Sequence, residues 1–409
     1  MRRCAAISCL LVLSSAALAP RGATATEARL ESLAELALVD DEVDIADFPG
    51  MLCAYSDLLF LNAGPAQGWS SSDEQISMTG SLGALFGREV ALGAWLHRTP
   101  RYDDLAETEQ LFELSADIPT NYTLADLFLG FSSGFGLRLG ISAGLDSEEE
   151  YDDDGDALSS GGTTFAADLQ LGYSFDAEGY HGDFGAGVTL SYFELFERGD
   201  TIYEGELIPS FLVRHRSIIG PRRELAGVFD VRLSRRAYTA ATRASEKELE
   251  QSGEFGRWLL EVTAGPRLRL PRWVEIWIGL RFGFENLAGK IDKQEQPTLR
   301  SIAFPGAGAA LEVTPLEMLV VRAGASYDVA FSVSEAPLPE EIDSDEGEGF
   351  YAGKQRTSRR FHWSTGLGLR LADFRVDATV AQRLFVPGPY MITGQPSGFL
   401  GMLSGAYAW

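Results

Sequence analysis

The chain has 409 residues, of which 45% are hydrophobic and 44 are glycine, and its formal net charge is −25. That length fits one large barrel or two or three ordinary domains. So strong a negative charge excludes nucleic acid as a partner, because phosphate would be repelled.

The first 25 residues read as a cleaved export signal. Arg2 and Arg3 precede an apolar run from Cys4 to Ala19, and Ala23-Thr24-Ala25 forms an A-x-A cleavage site. The run is too short to span a membrane as a helix. Cleavage there removes three arginines and no acid, leaving a remainder three charges more negative than the whole. It also leaves Cys53 as the single cysteine, so no intrachain disulfide can form. Residues 26–50, with ELALVDDEVDIADFPG, carry no strand pattern.

From residue 51 onward the dominant signal is alternation. Phe135, Leu137, Leu139, Ile141, Ala143 and Leu145 fall on one face, against Gly136, Arg138, Gly140, Ser142 and Gly144. The same period of two orders residues 163–175 and 319–331. A helix would need a period of 3.6 and would be weakened by so many interior glycines. The pattern predicts about 16 strands, near 57–63, 75–86, 89–98, 122–132, 135–145, 163–175, 183–196, 203–216, 223–236, 255–269, 273–286, 298–313, 317–332, 359–370, 373–386 and 398–409; 14 is the next count. Beyond the signal, no stretch of 18 uninterrupted apolar residues occurs, which leaves no candidate for a transmembrane helix.

The connections alternate between long and short. Tight turns are expected near Ser132-Gly134, at 176–182, around Gly220-Pro221, at Leu270-Pro271-Arg272, at Pro315 and at Leu371-Ala372. Longer loops fall at 146–162, 237–254, 287–297, 333–358 and 387–397. Long loops on one side, tight turns on the other and an apolar face on every strand predict a transmembrane antiparallel up-and-down β-barrel over residues 51–409. A soluble sandwich is the competing architecture. It is disfavoured by aromatics at the ends of the apolar faces (Phe135, Tyr173, Phe175, Tyr327, Phe331) and by charges in the middle of the other face.

Charges on the polar face can be registered in one hairpin. A three-residue turn at 270–272 sets Arg257 opposite Glu285, Glu261 opposite Arg281 and Arg267 opposite Glu275, and the turn at 371–372 sets Arg370 opposite Asp373. Arg138, Asp168, Asp230, Arg232, Arg322 and Asp328 have no evident partner and are the candidates for lining a water path. The run DSEEEYDDDGD places eight acids in residues 146–156, and EEIDSDEGE places six in 340–348. The first shares EF-hand spacing at Glu150, Asp152, Asp154 and Gly155, but its twelfth position is Gly161, so it reads as a solvated surface loop rather than a calcium site. His97 and His362 fall near the loop-side rim and His181 and His215 towards the turn side. No spacing of nucleophile, base and orienting group emerges, so no catalytic, cofactor or metal residue is expected.

The last residues, GFLGMLSGAYAW, alternate Phe399, Leu403, Tyr407 and Trp409 with small residues and stop on an aromatic. This segment resembles the closing strand of bacterial outer-membrane β-barrel proteins, whose pattern ends on an aromatic residue, usually phenylalanine. The resemblance is porin-like and concerns architecture only. It implies residence in the outer membrane, contact with lipid and lipopolysaccharide, recognition of the strand ending in Trp409 by the barrel-assembly machinery, and short turns facing the periplasm. Residues 26–50 would then be either a periplasmic lead-in or a short plug. The expected function is passive passage of small solutes. The alternative is a closed or plugged barrel that serves as a structural or adhesive surface anchor through its acidic loops.

Overall fold

A computed structural model describes residues 27–34, 36–39, 42–55, 57–65, 78–97, 122–151, 157–197, 200–222, 225–245, 248–270, 273–291, 294–295, 298–335, 354–385 and 399–409. The strands, in chain order, are β1 (Leu58–Pro65), β2 (Met78–Phe86), β3 (Val90–Leu96), β4 (Tyr122–Phe131), β5 (Phe135–Tyr151) and β6 (Ala157–Ala177). They continue with β7 (Tyr180–Glu197), β8 (Asp200–Arg222), β9 (Leu225–Ser245), β10 (Glu248–Leu270), β11 (Val274–Ile291) and the two-residue β12 (Gln294–Glu295). The last are β13 (Thr298–Leu316), β14 (Leu319–Glu335), β15 (Lys354–Leu371), β16 (Phe374–Phe385) and β17 (Phe399–Ala408).

Each long strand pairs antiparallel with its sequence neighbours, and β1 pairs with both β2 and β17. The result is a closed antiparallel barrel of 16 strands. Among the described residues every long strand has a paired neighbour on both sides, and unpaired backbone groups in hydrocarbon would cost several kcal/mol each. No helix among the described residues is long and apolar enough to cross a membrane, a statement that does not bear on crossing by strands.

The alternation becomes an inside and an outside. On β5, Phe135, Leu139 and Ile141 are exposed, whereas Arg138 and Ser142 are buried. Exposed aromatics stand near the short-turn end (Phe86, Phe135, Tyr173, Phe184, Trp273, Phe374, Tyr407 and Trp409) and farther along the outer face (Phe165, Trp258, Phe304 and Phe331). Trp409 stacks on Tyr407 and tilts against Phe86, and its N–H donates to the carbonyl of Asp57 (3.2 Å), so the chain end is fastened at the closing seam.

The structure corrects several boundaries. The stretch 146–162 is mostly strand, since β5 runs to Tyr151 and β6 begins at Ala157. The expected loop 237–254 likewise belongs to β9 and β10, and β8 continues through Gly220-Pro221 to Arg222. β8 and β10 reach 23 residues each, about twice what a tilted strand needs to cross a bilayer. Backbone pairing extends beyond the apolar band because it does not depend on which side chains alternate. The inner face is also less uniformly polar than the pattern suggests: Leu58, Phe60, Leu85, Trp95 and Phe128 point inward from β1 to β4 and are buried.

Candidate functional site: a lumenal segment and a graded inner wall

The short helix α1 (Glu27–Ser32) and two 3-10 turns, Glu42–Ala46 and Pro49–Ala54, precede β1. Their partners lie all round the inner wall. The N–H of Ala28 donates to Ser404 Oγ on β17 (3.2 Å), Arg29 Nε to Glu312 on β13 (2.9 Å), and the N–H of Ala34 to Ser364 Oγ on β15 (3.0 Å). Farther along, Asp44 accepts from Arg216 (2.6 Å) and Asp47 from Arg214 (2.7 Å), both on β8. Gln170 on β6 donates to the carbonyl of Asp47 (3.0 Å). A segment that touches β17, β13, β8 and β6 of a closed cylinder is inside it. The wall residues concerned lie towards the short-turn ends of their strands.

The two parts of this segment are held differently. In the first, Leu30, Leu33, Leu36, Leu38 and Val39 bury against Val228, Trp277 and Ala310 of the wall. In the second, Ile45, Phe48, Met51, Leu52 and Tyr55 pack on the apolar inner faces of β1 to β4. Phe48 is fully buried and lies under two guanidinium groups, with Arg214 at 4.8 Å and Arg216 at 4.9 Å from its ring centre. Flat cations over an aromatic face gain from the ring quadrupole, more so when desolvated. Cys53 is half-buried at the edge of this cluster, and loss of solvent pushes its thiol up from the ordinary range.

Close backbone approach explains some inward glycines. A Cβ on Gly136 would overlap the carbonyl of Pro49, and one on Gly324 would overlap the backbone of Leu33. The wall has no side chain where the segment's main chain passes.

Charge on the inner face is graded in solvent access. Beside the segment, the side chains of Asp183, Arg216, Arg322 and Asp377 have 0% exposure. Their networks are dense: Asp183 accepts from Ser174 (2.7 Å) and from Arg216 (3.2 Å), while Arg322 donates to Glu312 (2.8 Å) and Asp377 (2.7 Å). Away from the segment, Arg281 is 46% exposed, Glu285 25% and Asp328 24%, and at the short-turn rim Arg269 is 46% exposed and Arg370 36%. The inner wall is thus dry where the segment touches it and wetter elsewhere.

All six candidates for lining a water path have charged partners. Arg138 pairs with Asp168 and lies 3.7 Å from Asp126. Asp230 receives Arg214 (3.0 Å), Arg232 lies 3.9 Å from Glu261, Arg322 belongs to the dry network, and Asp328 meets Arg281 at 3.5 Å. Asp328 therefore borders the wetter zone, whereas Arg138, Asp230, Arg232 and Arg322 are buried. The sequence reading missed Asp44, Asp47, Asp183, Arg214 and Arg216. A faint signal was present: Arg214 and Arg216 share one strand face, and the segment carries Asp-x-x-Asp.

The register expected for the β10–β11 hairpin is two residues out. Leu270 pairs with Val274, so Arg257 lies opposite Leu287 and Glu261 opposite Gly283. All three expected ion pairs nevertheless form, as diagonal contacts: Arg257 to Glu285 at 2.8 Å, Arg281 to Glu261, and Arg267 to Glu275. A shift of two preserves the face, and long side chains span the diagonal. Arg370 instead sits opposite Arg375 and reaches Glu312 at 3.5 Å, because Asp373 is in the turn.

His97 ends β3 with a positive φ of 57°. Asp103, Asp104, most of the EF-hand-like spacing and the acidic run 340–348 lie outside the described residues. Among the described residues, no group of three or more His, Cys, Asp or Glu side chains is arranged to hold a metal ion.

A closed antiparallel cylinder, apolar outside and charged within, has the architecture of an outer-membrane β-barrel protein. No protein-family model matches the chain, and no curated protein does. Solved structures similar to it include CdiB from Escherichia coli, with 11% identity, TM-score 0.45, and coverage of 86% of this chain and 63% of that one. Others are a Pseudomonas aeruginosa FadL homologue (10% identity, TM-score 0.43, coverage 95% and 99%) and the P. putida toluene transporter TodX (10%, 0.35, 91% and 95%). The chain spans less than two thirds of the CdiB chain.

Proposed function

We propose that this protein is a passive channel of the bacterial outer membrane for small solutes, and that residues 27–55 close its short-turn, periplasmic end at rest. One observation carries the reading: the wall charges are dry where the lumenal segment touches them and partly solvated away from it. A water-filled vestibule that ends on a docked segment is what a closed channel requires. The vestibule carries both signs of charge close together, which suits small polar solutes without strong preference for either ion sign. The partners that fit are outer-membrane lipid and lipopolysaccharide around the barrel, and the assembly machinery acting on the strand that ends in Trp409.

The densely filled short-turn end also favours a second reading, a permanently closed barrel that anchors its loops at the surface. Conductance across planar bilayers separates the two. The intact protein should be mostly silent, and deletion of 27–55 should give ohmic steps. R214L/R216L, which releases the segment without shortening the chain, should do the same. Silence from both variants, each shown to be folded by heat-modifiable mobility, would remove the channel reading and leave the anchor.

A further inference from the structure

Near the short-turn rim, His181 sits between two carboxylates. Its Nδ1 is 2.7 Å from Asp176 Oδ1 on β6, and its Nε2 is 3.1 Å from Asp183 Oδ2 on its own strand. Carboxylate oxygens only accept, so both contacts are hydrogen bonds only when the ring is an imidazolium. A neutral ring can donate to one and must turn a lone pair on the other. Asp176 is 76% exposed, so the imidazole is within reach of protons from that side.

Asp183 is the hub. Besides His181 it accepts from Ser174 and from Arg216, and the same Arg216 donates through its other terminal nitrogen to Asp44 of the lumenal segment (2.6 Å). A third contact of Arg216 is Met51 Sδ (3.2 Å), also in the segment. The groups bearing on this chain are Asp176 from β6, Asp183 from β7, Arg214, Arg216 and His215 from β8, the last with its Nδ1 3.0 Å from the carbonyl oxygen of Asp183, Asp230 from β9, and Asp44 and Asp47 from the segment.

We infer that His181 is a proton-operated latch on the lumenal segment: protonated, it shares the charge of Asp183 and leaves Arg216 to Asp44; neutral, it cedes Arg216 to Asp183 and loosens Asp44. The sign follows from counting charges. With an imidazolium present, Asp183 has two cationic partners. When the proton leaves, the buried carboxylate has Arg216 alone, and that guanidinium is drawn away from the segment. Acid on the short-turn side therefore tightens closure and neutral to mildly alkaline pH relaxes it, within about pH 5 to 8 where an imidazole titrates.

This inference rests on the reading that residues 27–55 form the closure, and the test keeps the two apart. Cys53 lies in the segment and serves as a reporter of its docking. In the exported chain, where signal cleavage leaves Cys53 as the single cysteine, the rate of Cys53 modification by a water-soluble methanethiosulfonate is measured at about pH 5 and about pH 8. The parent is compared with H181Q, whose amide mimics the neutral ring, and the ratio cancels the thiol's own ionisation. The ratio of parent to H181Q should be near unity at the higher pH and fall roughly fivefold to tenfold at the lower, the scale of one weakened charged hydrogen bond. D44N should raise the rate at both pH values. An unchanged ratio with D44N still raised overturns the His181 latch and leaves the closure standing. No effect of D44N shows that Asp44 does not hold the segment, and the reading beneath fails with it.

Discussion

Two regions of the inner wall use the same residue types to opposite effect. Beside the lumenal segment Arg216, Asp183, Arg322 and Asp377 are wholly excluded from solvent, and away from it Arg281, Glu285 and Asp328 are partly wet. Arg322 and Asp328 even share β14, six residues apart on one face. What differs is the space in front of them. Near the short turns the lumenal segment expels water, so each charge needs several partners to offset its desolvation. Farther on, solvent supplies that compensation, and a pair holds the wall together only weakly. The comparison shows that the charge pattern of a barrel wall does not reveal where the barrel is open. The filling of the lumen decides that.

The contrast can be broken first at Arg216. R216L leaves Asp44 and Asp183 buried without their shared cation, and we expect docking of the segment to weaken by about 4 kcal/mol, the scale of a buried pair left half-made. Limited proteolysis of the N-terminal segment in the folded barrel measures this, since a loosened segment should be cut at low protease where the parent resists. Next is F48A, which removes a fully buried ring and its two cation contacts; a loss of about 3 kcal/mol is expected in the same assay. G324V places a side chain where the backbone of Leu33 passes and should cost about 2 kcal/mol.

Among the wetter charges the outcome should differ in kind. E285Q breaks the contact with Arg257, and we expect less than about 1 kcal/mol in urea unfolding of the detergent-solubilised barrel. Its effect should appear instead in the anion-to-cation preference of the variant lacking 27–55, which shifts towards anions with the loss of a wall carboxylate. A large loss of stability at Glu285 would erase the distinction between the two regions.

The smallest effect concerns the seam. Asp57, just before β1, accepts from the N–H of Gly87 (3.1 Å) and from Arg88 (2.9 Å), which hold its carboxyl below the ordinary value of 3.8. A carboxyl whose folded pKa is depressed adds stability that is present above its unfolded value and lost as pH falls through the folded one. Between pH 5 and 8 this contact should therefore contribute a constant, small amount, and D57N should lower stability by about 0.5 kcal/mol there. The difference should vanish in strong acid, which unfolding at several pH values will show.

Much of the barrel was legible in the sequence because its logic is local. A period of two with one apolar face defines a strand that must meet lipid or a core, and 16 such runs joined as hairpins close on themselves. The strand ends were less legible. Residues 146–151 and 237–245 no longer alternate in hydrophobicity, yet their backbones go on pairing. Register was legible only to its parity: the β10–β11 hairpin slipped by two and kept its three ion pairs, whereas Arg370 paired with Glu312 on a strand that no hairpin argument brings near. The site was the least legible part, because Asp44 and Arg216 are 172 residues apart.

The amino-acid sequence by itself determined a closed, two-faced sheet and the apolar character of its outside, since both follow from side chains alternating along each strand. Only the tertiary structure decided that the described residues between 27 and 55 occupy the lumen, that inward glycines on β5 and β14 admit their backbone, and that the wall is dry beside them and wetter elsewhere. Such properties depend on what lies across a cylinder from a given residue, and that distance is not written in any one strand.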